Sequence, residues 1–327
     1  MRESIKNFAE QFGFEPVIRN KEYLVCGLPA QAGERFALCG MGGSHLAAGL
    51  LKVREPSLPL VIHRDYGLPE IPKSDLPKTL FIASSYSGNT EEVLDFAKKA
   101  NQKKLHLAIL SVGGMLIEFA TENKIPFVKL PDTHIQPRLA LGHSIIALAK
   151  IIGDEKILTE LARLKNKLKP ESLEREGKEL ANKLKGKVPI IYFSAANSHL
   201  SYNWKIKFNE TGKIPAFANV FPELNHNEMT GFDIIDSTRP LSNNYHFVFV
   251  YDSNDHPQIQ KRMKVCAKLY KDRKLPVTEL FLGGNTPFEK IFNSLLLADW
   301  TALHLSKIYG TEPEKVPMVE EFKRLIA

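Results

Sequence analysis

Two glycine- and hydroxyl-rich stretches offer the clearest chemistry in the sequence: Gly40-Met41-Gly42-Gly43-Ser44 and Ser84-Ser85-Tyr86-Ser87-Gly88-Asn89-Thr90-Glu91-Glu92. Each follows a short apolar run and precedes an amphipathic one, so each reads as a strand-to-helix connection, where unpaired backbone N–H groups and the helix dipole favour an anion. Gly42 and Gly43 permit a tight turn and close ligand approach. Ser44, Ser85, Ser87 and Thr90 can surround a phosphate with donors without any Lys or Arg, and Thr90 is also placed to cap the next helix. A packing turn would use the same glycines and a capped turn the same hydroxyls, so neither loop alone demands a ligand. Two such loops at the carboxyl ends of parallel strands can meet at a switch point, where ligands bind. Neither is a P-loop nor a G-x-G-x-x-G fingerprint.

As a pair, Gly40–Ser44 and Ser85–Thr90 resemble the signature of sugar isomerase (SIS) domains, which bind phosphosugars. Phe208-Asn209-Glu210, Pro222-Glu223-Leu224-Asn225-His226-Asn227-Glu228 and Lys323 carry the resemblance further, in order and over essentially the whole chain, to the bifunctional phosphoglucose/phosphomannose isomerases. That resemblance implies two SIS-type subdomains, a homodimer and a phosphosugar substrate. The phosphate would be held by Gly42, Gly43, Ser44, Ser85, Ser87 and Thr90.

Converting an aldose phosphate to a ketose phosphate requires ring opening, then movement of a proton between C2 and C1 through a cis-enediolate. One base suffices for that shuttle. By residue type alone Glu210 reads as a solvated helix glutamate, His226 as a turn residue, Arg138 as a surface cap partner and Lys323 as one of the basic residues common at a helix end. The resemblance assigns them roles: Glu210 as the base, His226 and Lys323 as ring-opening groups, and Arg138 as the enediolate stabiliser. Chemically the assignments are sound, because imidazole moves protons near neutrality and a guanidinium is a fixed positive charge. In the family the matching histidine comes from the partner subunit. The family also has a Thr-Pro pair before the last helix, thought to help turn the intermediate, where this chain has Val316-Pro317.

Two other readings of the same loops are a phosphosugar-sensing regulator without turnover and an amino-sugar phosphate isomerase. A regulator needs an output, and no helix-turn-helix candidate flanks the SIS-like segments. No glutaminase segment precedes them, and the first cysteine is internal.

The elements that must position these residues alternate. Apolar runs at 35–39, 60–62, 79–83, 105–110 and 126–130 read as buried parallel strands, with amphipathic stretches at 90–101, 115–123 and 137–152 between them. A charged stretch, 154–187, reads as connecting helices. Beyond it, strands are expected at 188–196, 216–221, 246–251 and 277–282, and helices at 198–211, 258–271, 288–308 and 318–325. The fold expected is α/β, two doubly wound, mainly parallel subdomains flanked by helices, over 1–153 and 154–327. Gly283-Gly284-Asn285-Thr286-Pro287 reads as a capped turn opening a helix.

At 327 residues, 43% hydrophobic and 25% charged, the chain can bury two cores and is neither disordered nor collagen-like. Of its net charge of +7, +4 falls between Lys150 and Lys187, interleaved with acids at helical spacing and without stacking aromatics, so no nucleic-acid partner is expected. No apolar run approaches the ~20 residues of a membrane span. Cys26, Cys39 and Cys266 read as packing thiols, and with no apolar leader at the N-terminus the expected location is cytoplasmic. Scattered histidines and cysteines give no metal-ligand spacing, and neither a metal nor another cofactor is expected.

Overall fold

A computed structural model describes residues 1–24 and 35–326, and Cys26 lies outside the described residues. The chain forms two units, Asn7–Leu168 and, together, Met1–Lys6 with Lys169–Ala327. Within the first lie β1 (Ile18–Arg19), β2 (Arg35–Cys39), β3 (Leu60–His63), β4 (Thr79–Ser84), β5 (Leu107–Ser111) and β6 (Phe127–Lys129). The second contains α1 (Arg2–Lys6) at its start, and the helices of the first run from α2 (Leu46–Arg54) through α3 (Glu91–Gln102), α4 (Gly114–Glu122), α5 (Leu141–Ile152) and α6 (Glu155–Ala162) to α7 (Leu164–Lys167).

The first sheet has the order β1-β6-β5-β4-β2-β3 and is parallel except for β1. From β2 the chain steps outward to β3, then crosses back to β4 on the other side of β2. The winding therefore reverses at β2 and β4, and the two hydroxyl-rich loops leave the carboxyl ends of these neighbours. Both faces are covered, which explains the unbroken apolar runs. Ala37, Phe81, Ala83 and Ile109 meet Val93, Phe96 and Leu116 of α3 and α4. The alternate residues Leu38, Ile82 and Leu110 are buried too, and α5 packs against β5 and α2. β1 was not expected: two residues are too few for a periodic signal.

The second unit carries β7 (Val188–Ser194), β8 (Phe217–Phe221), β9 (Tyr245–Tyr251) and β10 (Val277–Phe281), all parallel, in the order β10-β9-β7-β8. Its remaining helices are α8 (Glu174–Leu184), α9 (Ser198–Glu210), α10 (Arg239–Ser242), α11 (Pro257–Asp272), α12 (Pro287–Tyr309) and α13 (Pro317–Ile326). On one face Tyr192, Phe247 and Phe249 pack with Met263, Ala267 and Tyr270 of α11. Towards the other, α9 lies on β7 and is backed by α12, which also packs on α8. The capped turn expected before α12 is present: Thr286 Oγ1 accepts from Glu289 N–H at 3.2 Å and Glu289 Oε2 from Asn285 N–H at 2.9 Å.

The division between units falls after Leu168 rather than after Gly153. Asp154 caps α6 through Ile157 N–H at 2.9 Å, and Ile157, Leu161 and Leu164 are buried, so apolar faces hold α6 and α7 to the first unit. Residues 1–6 instead join the second, where Arg2 forks onto Glu174 at 2.8 and 3.2 Å. Charge along 154–187 marked helices correctly but could not say which sheet they cover. Burial pushes the thiols of Cys39 and Cys266 up, to about 12 and about 11, which fits inert packing. Among the described residues no helix is long and apolar enough to cross a membrane.

Candidate functional site

In the first unit three segments converge on one edge of the sheet. The loop after β2 tightens into a turn, Gly42–His45, before α2. Gly43 there lies so close to the turn Pro137–Leu139 that a Cβ would stand 2.7 Å from Pro137 Cβ and 3.0 Å from Arg138 N. The expected helix 137–152 is thus split: Arg138 sits on a separate tight turn and α5 starts at Leu141. Gln11 makes the split, donating to Leu139 O at 2.7 Å and accepting from Gly142 N–H at 3.0 Å. Arg138 is 1% exposed, with Nη1 3.4 Å from Gln136 Oε1.

The second loop is joined to the first by hydroxyls. Ser84 Oγ donates to Ser44 O at 2.9 Å, and Ser44 Oγ accepts from Tyr86 N–H at 2.9 Å, leaving the Ser44 hydroxyl proton for another partner. Ser85 is buried; its Oγ accepts from Gly88 N–H at 3.1 Å and lies 2.8 Å from Thr90 Oγ1. Ser87 is exposed, its Oγ accepting from Asn89 N–H at 3.3 Å. Thr90 takes the N-cap position of α3, but its hydroxyl turns to Ser85 and makes no cap bond, contrary to the capping expected. Gly88 has φ +76°, and a Cβ there would fall 1.8 Å from Gly113 O, so no other residue fits this turn. Asn89 Oδ1 accepts from Met115 N–H at 3.0 Å, tying the loop to the start of α4.

Glu210, His226 and Lys323 belong to the second unit. Glu210 is the last residue of α9, half-buried. One turn earlier Lys207 forms an ion pair with Asp299 of α12 at 2.6 Å, each side chain 1% exposed. Lys213 donates both to Glu210 O and to Lys315 O, so it draws the end of α9 towards the segment leading into α13, which carries Lys323. His226 lies elsewhere, exposed on the turn Glu223–His226 after β8, beside a groove of about 470 Å³ lined by Met229, Arg262 and Val265.

Gln11, Asn89, Lys213 and Glu228 support these elements and were not singled out from the sequence. Their partners lie across loops or in other elements, so no local pattern betrays them. The one usable signal was the position of Asn89 and Glu228 inside stretches already chosen.

No group of acidic residues, histidines and cysteines suited to a metal ion occurs among the described residues. Residues 173–326 match the family model of the bacterial phospho-glucose isomerase C-terminal SIS domain. Over its whole length the chain is 32% identical to a bifunctional phosphoglucose/phosphomannose isomerase of Caldicellulosiruptor bescii, covering 99% of that protein. It is 30% identical to one of Aquifex aeolicus, over 98% of this chain and 96% of the other. Among solved structures, a hypothetical protein of Thermus thermophilus superposes with a TM-score of 0.69 at 18% identity, covering 99% of this chain and 87% of that one. At that identity the superposition speaks for the fold alone.

Proposed function

Because the chain belongs to the bifunctional phosphoglucose/phosphomannose isomerase family, we propose that it interconverts glucose 6-phosphate and mannose 6-phosphate with fructose 6-phosphate. The observation that carries the reading is the meeting of the Gly42–Ser44 and Ser85–Thr90 loops beside Arg138, at the carboxyl ends of β2 and β4. The phosphate is taken by backbone N–H groups of Gly42 and Gly43 and by the hydroxyls of Ser44, Ser87 and Thr90. Ser85, buried beneath them, contributes by holding Thr90 and Gly88.

Chemistry follows in three steps. His226 and Lys323 move the ring hydroxyl and O5 protons, opening the sugar. Glu210 takes the C2 proton, the O2 hydroxyl proton passes to O1 within the enediolate, and Glu210 returns its proton to C1. Arg138 offsets the negative charge that builds on the enediolate oxygens. The assembly we propose is a homodimer with His226 supplied across the interface, and its location the cytoplasm. Support for association comes from α13, which leaves Met318, Phe322 and Leu325 exposed on one face. A monomer in sedimentation equilibrium would remove the dimer.

A coupled assay with glucose, mannose and glucosamine 6-phosphates tests the whole reading. Fructose 6-phosphate should form from the first two. Turnover of glucosamine 6-phosphate alone would make the chain an amino-sugar enzyme, and no turnover at all would favour a sensor.

Ser87→Ala should raise the phosphosugar KM with kcat little changed, since the donor serves ground and transition states alike. A hydrogen bond to a charged group is worth ~1.5–3 kcal/mol, or ~10–100-fold in KM. A non-phosphorylated sugar is the control, and equal weakening of both ligands sinks the assignment.

Val316 is half-buried, and its carbonyl accepts from Val319 and Glu320 N–H at 3.0 and 3.1 Å as α13 begins. If a hydroxyl here helps the enediolate present its other face, Val316→Thr should raise the mannose-to-glucose activity ratio by about fivefold, the worth of one hydrogen bond of ~1 kcal/mol. An unchanged ratio shows that the hydroxyl is dispensable.

A further inference from the structure

His226 is exposed on a short turn, and an imidazole that must meet one ring oxygen needs its backbone held. The hold is found two residues on. Tyr192 of β7 and Asn219 of β8 are register partners in the parallel pair, so their side chains stand side by side on one face of the sheet. Both donate to one carboxylate, that of Glu228: Tyr192 OH to Oε1 and Asn219 Nδ2 to Oε2.

The anchor is rigid at its base. Tyr192 is fully buried and packs against Phe221, Phe247, Phe249 and Tyr270, with ring centroids 5.2–6.4 Å away. Burial pushes its phenol far above the usual range, so it stays protonated and a donor. The tie also reaches back across the turn that carries His226. Asn227 accepts from Glu228 N–H with Oδ1, and its Nδ2 donates to Glu223 Oε1 at 2.8 Å, closing a bracket around the turn Glu223–His226.

We propose that Glu228 is a positioning residue for His226: its carboxylate, received by the Tyr192–Asn219 pair, fixes the turn that presents the imidazole, and it touches no substrate. The proposal rests on the reading of His226 as a ring-opening group. Glu228→Gln keeps size but replaces the charged acceptor by a neutral amide, so two charge-assisted hydrogen bonds become weaker neutral ones, that with Tyr192 reversed in direction, and the turn loosens.

Ring opening and proton transfer can be separated by substrate. Fructose 6-phosphate must be opened, whereas 5-deoxyfructose 6-phosphate lacks the O5 hydroxyl, cannot close its furanose ring and needs only the enediolate step. Turnover of both would be measured for the wild type, Glu228→Gln and His226→Asn.

Glu228→Gln is expected to lose ~10–100-fold in kcat on fructose 6-phosphate, the scale of a small misplacement, and less than about twofold on the analogue, in parallel with His226→Asn. Tyr192→Phe removes one donor without a cavity and should show the same split more weakly; it replaces Glu228→Gln if that variant does not fold. Equal losses on both substrates, or none on either, overturn the positioning role while His226→Asn still shows the split. If His226→Asn shows no split, the reading of His226 fails, and the proposal with it.

Discussion

Glu210→Gln will lower isomerase turnover by ~10²–10⁴-fold, the usual worth of a general base, while phosphosugar affinity stays near its original value. The amide has the shape of the carboxylate but cannot accept the C2 proton, and the phosphate loops lie in the other unit. Glu210 ends α9, so the change disturbs no downstream turn of that helix. Solvent deuterium exchange into fructose 6-phosphate should fall with the rate, because exchange requires the same proton to leave carbon. Retained exchange at the original rate would show that another group removes it.

Asp299→Ala should cost about 3–5 kcal/mol, the penalty for leaving a buried charge without its partner. The ammonium of Lys207 is 1% exposed and its carboxylate partner 2.6 Å away, so water cannot readily replace what is lost. Since Lys207 is one turn from Glu210, the loosened α9 should also lower kcat. The pair Lys207→Met with Asp299→Leu removes both charges and should recover much of the loss, as apolar replacements of buried ion pairs often do. Urea unfolding followed by far-ultraviolet circular dichroism reads the difference. A single variant within 1 kcal/mol of the parent would mean that the pair is not what holds α9 to α12.

Much of the candidate site was legible because its chemistry is local. Gly42, Gly43 and Ser44, and Ser87 with Thr90, stand at strand-to-helix connections that short apolar runs on either side already implied. Glu210, His226, Arg138 and Lys323 were different. Each is an ordinary residue for its element, and only likeness to a family singled them out.

What the sequence by itself determined is the order of the main strands and helices, β1 and α10 apart, and the place of each hydroxyl-rich loop between a strand and a helix, because hydrophobic period and turn chemistry act over a few residues. Folding decided the rest. Ser85 and Ser87 are two residues apart and chemically identical, yet one is buried beneath the loop and the other faces out. Arg138 left its expected helix because Gln11, far away in sequence, took the carbonyl of Leu139. The unit boundary moved to Leu168 because the apolar faces of α6 and α7 bury against the first unit. Glu228 became an anchor because β7 and β8 pair in the register that sets Tyr192 beside Asn219. Each outcome depends on which surfaces and polar groups meet across long stretches of chain, and no window of neighbouring residues contains that information.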